Sequence, residues 1–456
     1  MTKLDKVVRV LIIAFCSLYL INFFFKPPYV GFVANIILGV FFALVIPNIP
    51  KINRRVCLCF FIPGVILFVT SGTSIYDMIM ALGRNSGLVI LLVSVPIMTM
   101  PFFYDTYQEE MGNIAKHYFT TMFPFLIFVL FAGYFLSLII AMSCLLILYD
   151  LFGKNARDYN IQLPFRMALM QGYAVAGLWG PGWATTPIIS DRLQIPWLEI
   201  VLPGSIFSVF ALIFSAFLLW YTLSSNPDKY PLLKPDKTIV VNWRKVATLF
   251  LLTGILISLL LFANYLTGWV MFVIVPLAAF PFAISSALIQ DKMPTFKKNL
   301  TDFFNGKITR GKPEICLFIV GGFLGTAFEY SKVANTLLAL LPQEVFVFPL
   351  LSSALIMFII VILALVGVHP VVVSPSLAMA ITAESIGLST LGFAMTLASG
   401  WILAVNISPF SSQTMIVAGI EQKTPWEAGP YTNWRFDFGM IPIFAVLVYI
   451  MEKIKT

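Results

Sequence analysis

Long apolar runs alternate with short polar segments along the whole chain. An α-helix needs about 20 apolar residues to cross a bilayer. Runs of roughly that length lie at 7–25, 28–47, 56–72, 86–103, 119–151, 165–189, 198–222, 247–265, 268–289, 313–332, 345–366, 369–386, 391–416 and 437–453. The longest polar stretch, 223–246, is too short for a soluble domain. The pattern predicts an all-α polytopic membrane protein with about 11 spans, since not every run needs to cross.

Sequence landmarks recur across the midpoint of the chain, about 225 to 229 residues apart, as expected of a duplication. Phe123-Pro124 corresponds to Phe348-Pro349, and Pro196-Trp197 corresponds to Pro425-Trp426. We predict a first unpaired span at 1–27, repeat 1 at 28–222, a cytoplasmic linker at 223–246 and repeat 2 at 247–456. An odd number of spans in each repeat would invert the second copy relative to the first.

Each repeat carries a short segment suited to the membrane surface. In Thr295–Arg310 the phenylalanines share one helical face and lysines occupy much of the rest, which is typical of an amphipathic arm. Its counterpart in repeat 1 is the shorter segment Ile75–Asn85. The charge pattern favours re-entrant hairpins at 86–117 and 313–342, with 345–386 as one interrupted span.

Composition narrows the class of protein. Hydrophobic residues make up 59% of the chain and charged residues 11%, whereas a typical soluble domain is about 25% charged. This excludes a soluble enzyme, a disordered protein and a secreted disulfide scaffold. The net charge of +8 comes from basic residues spread over short loops. We therefore predict the inner membrane, with the N-terminus and most Lys and Arg residues inside, and no nucleic-acid partner.

Two apolar runs are interrupted by residues that a regular helix does not tolerate. The first break contains Gly180, Pro181, Gly182, Thr185 and Thr186, and the second contains Asn406, Ser408, Pro409, Ser411, Ser412, Gln413 and Thr414. Paired interruptions in two halves point to the midplane site of a transporter. Helix N-termini there would offer amides to an anion, and freed oxygens would suit Na⁺, which is a hard cation like Ca²⁺. The alternative is a pair of proline kinks satisfied by hydroxyl groups.

Three further polar residues stand inside or beside apolar runs. His369 precedes Pro370, and an ionisable residue within the membrane is a functional candidate. It could carry a proton or donate to a substrate carboxylate; alternatively, it is a neutral ring bonded to a carbonyl that Pro370 exposes. Glu329 could neutralise a coupling cation or pair with Lys332, and Asn335 follows in the same predicted hairpin.

The sequence carries no common catalytic motif. His-Glu-x-x-His, Gly-x-Ser-x-Gly and the phosphate-binding Gly-x-x-x-x-Gly-Lys-Ser/Thr are all absent. We therefore predict that the protein is not an enzyme. No metal centre is expected, and no cofactor beyond a coupling Na⁺ or H⁺.

With its inverted repeats, amphipathic arms, hairpins and interrupted spans, nearly the whole chain resembles the ion transporter superfamily, which includes the divalent anion/sodium symporters. These symporters carry Ser-Asn-Thr signatures in both repeats. The nearest equivalents here are Ala184-Thr185-Thr186 and Ser411-Ser412-Gln413-Thr414. The resemblance implies an elevator-type mechanism, in which a hairpin-bearing domain moves against a scaffold, and a homodimer formed through that scaffold.

The resulting hypothesis is a secondary active transporter that takes up a small organic anion together with Na⁺ or H⁺. Its partners would be a small-molecule substrate, the lipid bilayer and a second copy of the chain. Two alternatives stay open. One is an exporter or cation/proton antiporter with His369 or Glu329 as the proton carrier, and the other is a non-transporting membrane subunit.

Overall fold

In the computed structural model, residues 3–104, 107–119, 121–140, 143–225, 237–331 and 348–455 are described. Every regular element within these ranges is helical. The first half contains α1 (Lys3–Phe25), α2 (Val30–Val45), α3 (Lys51–Thr70), α4 (Ile75–Leu82), α5 (Ser86–Met98), α6 (Tyr107–Tyr118), α7 (Met122–Ile140), α8 (Ser143–Asp158), α9 (Gln162–Val175), α10 (Thr185–Leu193) and α11 (Trp197–Ser224). The second half contains α12 (Trp243–Thr267), α13 (Met271–Ile289), α14 (Met293–Asn305), α15 (Lys312–Ser331), α16 (Pro349–Leu365), α17 (Pro370–Ala380), α18 (Thr390–Ile407), α19 (Ser412–Glu421), α20 (Pro425–Ala428) and α21 (Pro430–Lys455).

Ten helical stretches of the described chain are long and apolar enough to cross a membrane. Three further apolar helices are shorter, at 10–17 residues, and belong to α7, α16 and α17. The prediction of an all-α polytopic membrane protein is therefore confirmed. The described residues contain ten candidate spans, close to the number of about 11 predicted from the sequence.

Capping residues set the ends of individual helices. The side chain of Asn242 accepts a hydrogen bond from the backbone N–H of Lys245 at 3.4 Å and caps the N-terminus of α12. The same helix ends at Gly268, whose φ of 65° lies in the left-handed region that favours glycine. The Ser389 hydroxyl caps α18 by accepting from the N–H of Gly392 at 3.1 Å. These caps determine where the long apolar runs begin and end as helices.

Small residues allow α7 and α9 to pack closely. A methyl group on Gly172 would overlap the carbonyl oxygen of Leu130. Across the same interface, Ser137 Oγ donates a hydrogen bond to the carbonyl oxygen of Tyr173 at 3.1 Å. Within lipid, close packing and hydrogen bonds between helices supply the association energy that the hydrophobic effect supplies in water. The α7–α9 pair therefore forms a tightly packed support for the first break, which follows α9.

Helix α15 covers the first part of the predicted re-entrant hairpin at 313–342. It is continuous over Lys312–Ser331, and together with the preceding 3-10 turn it is long and apolar enough to cross a membrane. Residues 332–347 lie outside the described part of the chain. Gly322 in α15 allows close packing, because a methyl group there would come within 2.8 Å of the backbone nitrogen of Asn85.

The predicted interrupted span at 345–386 contains two shorter helices in the described residues, α16 and α17. Helices α16 and α17 contact each other and are separated by residues 366–369. In this turn Gly367 takes a φ of 102°, a conformation that glycine adopts readily. The other predicted hairpin, 86–117, contains α5, a 3-10 turn at Met100–Phe103 and part of α6.

The predicted amphipathic arms are present as α4 and α14. Helix α14 buries Phe296 and Phe303 and exposes Lys297, Lys298 and Asp302. Such a distribution suits a helix that lies along the membrane surface with its apolar face inward. The shorter α4 is capped by Ser74, whose hydroxyl accepts from the N–H of Asp77 at 3.2 Å.

Candidate functional site

The first break separates α9, with its 3-10 extension at Ala176–Leu178, from α10. Thr186 Oγ1 donates to the carbonyl oxygen of Gly180 at 3.2 Å, and the N–H of Trp183 donates to the same oxygen at 3.2 Å. These bonds close the turn that contains Pro181 and Gly182. The hydroxyl of Thr185, at the first position of α10, is fully buried and has no partner among the described residues.

The second break separates α18 from α19 and is held by hydroxyl groups. Ser408 Oγ donates to the carbonyl oxygen of Ala364, at the end of α16, at 2.7 Å. Ser411 Oγ accepts from the N–H of Thr414 at 3.2 Å and so caps the N-terminus of α19. Pro409 lies between these two serines and, like them, is buried. The serines therefore fix the break and present the first turn of α19.

A third helix with a polar residue at its N-terminus is α17, which is capped by His369. Its Nδ1 accepts a hydrogen bond from the N–H of Val371 at 3.1 Å, which makes it the cap of α17. Pro370 occupies the first helical position, where a missing N–H costs nothing. The bond differs from the predicted alternative, in which the ring would have bonded a carbonyl exposed by Pro370. Because Nδ1 acts as an acceptor, a neutral ring carries its proton on Nε2.

A cavity of about 680 Å³ joins the three predicted clusters. Gly182, Trp183 and Ala184 of the first break line it, as do Ser412 and Gln413 of the second break. His369 and Val371, at the start of α17, line it as well. Sequence positions that are far apart in the chain are thus brought to a single space inside the protein.

The N-termini of α10, α17 and α19 converge on this cavity, because each of the three contributes residues from its cap or first turn to the lining. The first N–H groups of a helix lack partners within the helix, and the helix dipole places partial positive charge at the same end. Three such ends around one cavity create an environment that favours a negatively charged group.

The remaining wall is largely apolar and aromatic. Tyr173 and Trp401 contribute large side chains, and the ring of Tyr173 lies 4.6 Å from that of Trp183 between centroids. Lys307 and Glu314 also line the cavity, next to the arm. This lining can hold a small solute with an apolar body and one anionic group.

A buried polar network lies behind the cavity lining. Gln413 Nε2 donates to Asn406 Oδ1 at 3.0 Å and to the carbonyl oxygen of Met170 at 3.1 Å. Asn406 Nδ2 donates in turn to Asp437 Oδ1 at 2.9 Å. Asn406 and Asp437 are 0% exposed, and Gln413 is 1% exposed. Two hydrogen bonds therefore connect the cavity wall to a carboxyl group in the interior.

The network continues through α9 and α11. Asn433 Nδ2 donates to the backbone oxygen of Asn406 at 3.2 Å, and Gln171 Nε2 donates to Asn433 Oδ1 at 3.2 Å. Ser215 Oγ completes it by donating to Gln171 Oε1 at 2.5 Å. Buried polar networks of this kind fix the relative positions of helices when their members are satisfied.

Sequence reasoning missed Asp437, Asn433 and Gln171. The signal was present, since each is a polar residue on a helix that is otherwise apolar over most of its length. Asp437 stands at the first position of the run 437–453, close to Arg435, and so had the pattern of a residue at the membrane surface. Only the packing of α21 against its neighbours reveals that its side chain is inside.

Two predicted residues do not join the cavity in the described structure. Glu329 is exposed and does not line the cavity. Asn335 and its neighbour Lys332 lie outside the described residues. Of the other predicted residues, Gly182, His369, Ser412 and Gln413 line the cavity. The buried residues that hold the lining in place are Gly180, Pro181, Thr185, Thr186, Asn406, Ser408, Pro409, Ser411, Thr414 and Pro370.

Within the described ranges, no cluster of three or more His, Cys, Asp or Glu side chains has the arrangement of a metal site. The oxygen-bearing groups near the cavity are hydroxyls, amides and single carboxyls. A monovalent cation or a proton is compatible with these groups.

The fold of this membrane protein is similar to that of a known transporter. The crystal structure of the YdaH transporter from Alcanivorax borkumensis, described as having an unusual topology, matches with a TM-score of 0.55. The match covers 89% of this chain and 99% of that one, at 14% sequence identity. No protein-family model and no curated protein sequence matches the chain. The fold is thus shared with a transporter, and the resemblance to the ion transporter superfamily stays a prediction.

Proposed function

We propose that the protein is a secondary active transporter, not an enzyme, that takes up a small organic anion with a coupling cation, Na⁺ or H⁺. The observation that carries this proposal is the cavity at which the N-termini of α10, α17 and α19 meet. A cavity between discontinuous helices is the usual position of a transporter's substrate site. The similarity in fold to YdaH, itself a transporter, is consistent with this reading.

The wall of the cavity indicates the chemistry of the solute. Its aromatic side chains offer apolar surface, and Lys307 is the basic residue among the described lining, opposed by the nearby acidic Glu314. A single anionic group can be held by the three helix ends without a dedicated arginine. A small monovalent organic acid therefore fits better than a solute with several charges.

Contacts between the helices support two related repeats, which we propose are inverted and work by an elevator motion. The contact between α3 and α15 has a counterpart in the contact between α13 and α5. The contact between α8 and α19 likewise has a counterpart in that between α17 and α10. Each counterpart exchanges the two halves, as a pseudo-twofold axis requires. In the proposed mechanism the domain that contains the two helix breaks moves with the bound solute, and the rest of the protein serves as the scaffold against which it moves.

We propose an inner-membrane location and a homodimer formed through the scaffold, and the exposed apolar side chains of the outer surface are consistent with a lipid bilayer or a second chain. Helix α11 exposes Leu202, Val209 and Ile213, and α12 exposes Leu251 and Phe262. These apolar side chains suit lipid or a second copy of the chain. A mass measurement in native-like lipid particles should show the mass of two chains.

The antiporter alternative has less support from the geometry. His369 Nδ1 already accepts the N–H of Val371, so protonation of that nitrogen would break the cap of α17. Glu329 is exposed and lies outside the cavity lining. Glu329 is therefore not in contact with a solute in the cavity, and protonation of His369, which does line the cavity, would cost the cap of α17.

A thermal-shift screen tests the proposed function. The purified protein is heated with acetate, succinate or benzoate, each with Na⁺ and with K⁺ at two pH values. A ligand at 100 times its Kd stabilises the folded state by about 2.7 kcal/mol. We expect a shift with a monovalent acid that depends on Na⁺ or on pH.

Two variants show whether the shift arises at the cavity. Ala184→Phe fills the space beside the start of α10, so it should abolish the shift. Val209→Phe adds the same ring at an exposed position of α11, and it should leave the shift intact. The proposal fails if no acid stabilises the protein under any condition, or if the shift persists in Ala184→Phe.

A further inference from the structure

We propose that the Asp437 carboxyl group binds and releases the proton that couples transport to the proton gradient. This inference rests on the proposed function, and it names the coupling ion as H⁺. It arises from a buried carboxyl group that is connected to the cavity but does not line it. In the chemical step one O–H bond forms at Oδ2 as one O–H bond of a hydronium ion breaks and leaves water, and release is the reverse.

The surroundings of Asp437 favour a proton. The side chain is 0% exposed, and Oδ1 accepts a single hydrogen bond from the neutral amide of Asn406 at 2.9 Å. Oδ2 is buried and has no hydrogen-bond partner among the described residues. An isolated carboxylate in such a place costs far more free energy than a neutral carboxyl group. Protonation of Oδ2 removes the charge.

The charged groups on the surrounding helices are engaged elsewhere. Helices α9, α11, α16, α18 and α20 contact α21. On α9, Arg166 pairs with Glu421 and donates to Thr432 Oγ1 at 2.7 Å. On α11 and α20 the acidic residues Glu199 and Glu427 are exposed, and α16 and α18 contain no charged residue.

On α21 itself the charged neighbours also point away from Asp437. Arg435 is exposed and lies over the rings of Tyr221 and Trp434. Near the end of the helix, Glu452 accepts from the Ser389 hydroxyl at 2.7 Å, and Lys453 lies over the ring of Tyr449. Within the described chain, Asp437 has no ion-pair partner that would stabilise its charge.

The link to the cavity is the amide chain of Gln413 and Asn406. Gln413 contacts the solute space and holds Asn406 Oδ1 through its Nε2, while its Oε1 has no partner among the described residues. A solute that engages the Gln413 amide changes the orientation of the group that positions Asn406. Asn406 is in turn the donor to Asp437. Solute occupancy and proton occupancy thereby act on the same two hydrogen bonds.

A transport experiment separates coupling from solute binding. The protein is reconstituted into vesicles of phosphatidylethanolamine and phosphatidylglycerol, and labelled acetate, benzoate and benzenesulfonate are used as probes. The sulfonate stays ionised and does not cross the bilayer as a neutral acid. For one coupled proton, a gradient of one pH unit supports about tenfold accumulation, because one pH unit equals about 1.36 kcal/mol.

We expect Asp437→Asn to lose this accumulation, about tenfold, while it still exchanges internal for external probe, since the amide resembles a permanently protonated carboxyl. Asp437→Glu should restore pH-driven accumulation with an altered pH profile. Asp302→Asn, an exposed change on the arm, should behave as wild type. The proposal is overturned if Asp437→Asn still accumulates benzenesulfonate, if Glu314→Gln by itself abolishes that accumulation, or if Na⁺ instead of pH drives uptake in the wild type.

An infrared measurement decides the proposal without any substrate. Difference spectra of the wild-type protein between two pH values should contain the C=O stretch of a buried protonated carboxyl group, and Asp437→Asn should remove it. Absence of this band from wild type, or its persistence in Asp437→Asn, contradicts the proposal. Failure of the proposed function has a different signature, because wild type would then show the band but transport none of the probes.

Discussion

Replacement of Ser411 by alanine tests the capped helix start on which anion binding depends. Ser411 Oγ accepts from the N–H of Thr414 at 3.2 Å and lies within 3.0 Å of Thr414 Oγ1. Loss of an N-cap costs about 1 kcal/mol. Because Thr414 is 0% exposed, its N–H is left without a partner inside the protein, which places the cost at the upper end of the range for cap loss, about 2 kcal/mol. We expect Ser411→Ala to lower stability by about 2 kcal/mol.

The same change should weaken binding of the anion. A helix N-terminus stabilises a partly buried negative charge by about 1 kcal/mol, up to about 2. If release of the cap removes the contribution of α19, the Kd should rise about fivefold, which corresponds to roughly 1 kcal/mol. The helix ends of α10 and α17 are unchanged by this substitution, so binding should weaken without being lost.

The assay is thermal unfolding in detergent with increasing concentrations of the acid that gives the largest shift. Thr424→Ala is the matched control, because Thr424 caps α20 through the N–H of Glu427 at 3.3 Å but is exposed and does not line the cavity. The control should lose less stability and keep the full ligand-induced shift. If Ser411→Ala and Thr424→Ala keep identical ligand shifts, the helix end of α19 does not bind the solute.

Three further outcomes are expected. Gly172→Ala should destabilise the protein by about 1–3 kcal/mol through overlap with the backbone of Leu130, whereas Gly254→Ala, which has open space around it, should stabilise α12 by up to about 1 kcal/mol in thermal unfolding. His369→Ala should weaken acid binding in the thermal-shift titration but keep pH-driven accumulation; loss of the pH response alone would identify His369 as the proton carrier. Glu329→Gln should leave uptake unchanged, and a loss of uptake would place that residue in the transport path.

The helix breaks could be predicted from sequence because their cause is local. Proline, glycine and clustered hydroxyl residues prevent a regular helix wherever they occur, whatever packs around them. The capped starts at Ser411 and His369 follow from the same local chemistry. The pattern of residue types along the sequence does not show how the helices pack. This tertiary step, by which the N-termini of α10, α17 and α19 meet at one cavity, is visible only in the structure.

The packing role of Gly322 and the burial of Asp437 depend on that tertiary step. Glycines within an apolar run can mark a bend or a close helix contact, and Gly322 is a close contact to the backbone at Asn85. An acidic residue at the edge of an apolar run can lie at the membrane surface or inside. For Asp437 the contacts of α21 decide, since its neighbours Asn406 and Asn433 are buried with it.

Electron cryomicroscopy of the protein with the acid that binds best would test most directly whether the cavity is an anion site. The expected density places the carboxylate within hydrogen-bond distance of backbone N–H groups at the starts of α10 and α19, with the apolar body against Trp183 and Trp401. Density for the acid elsewhere, or in the cavity with its carboxylate turned away from all three helix ends, would contradict the proposed site.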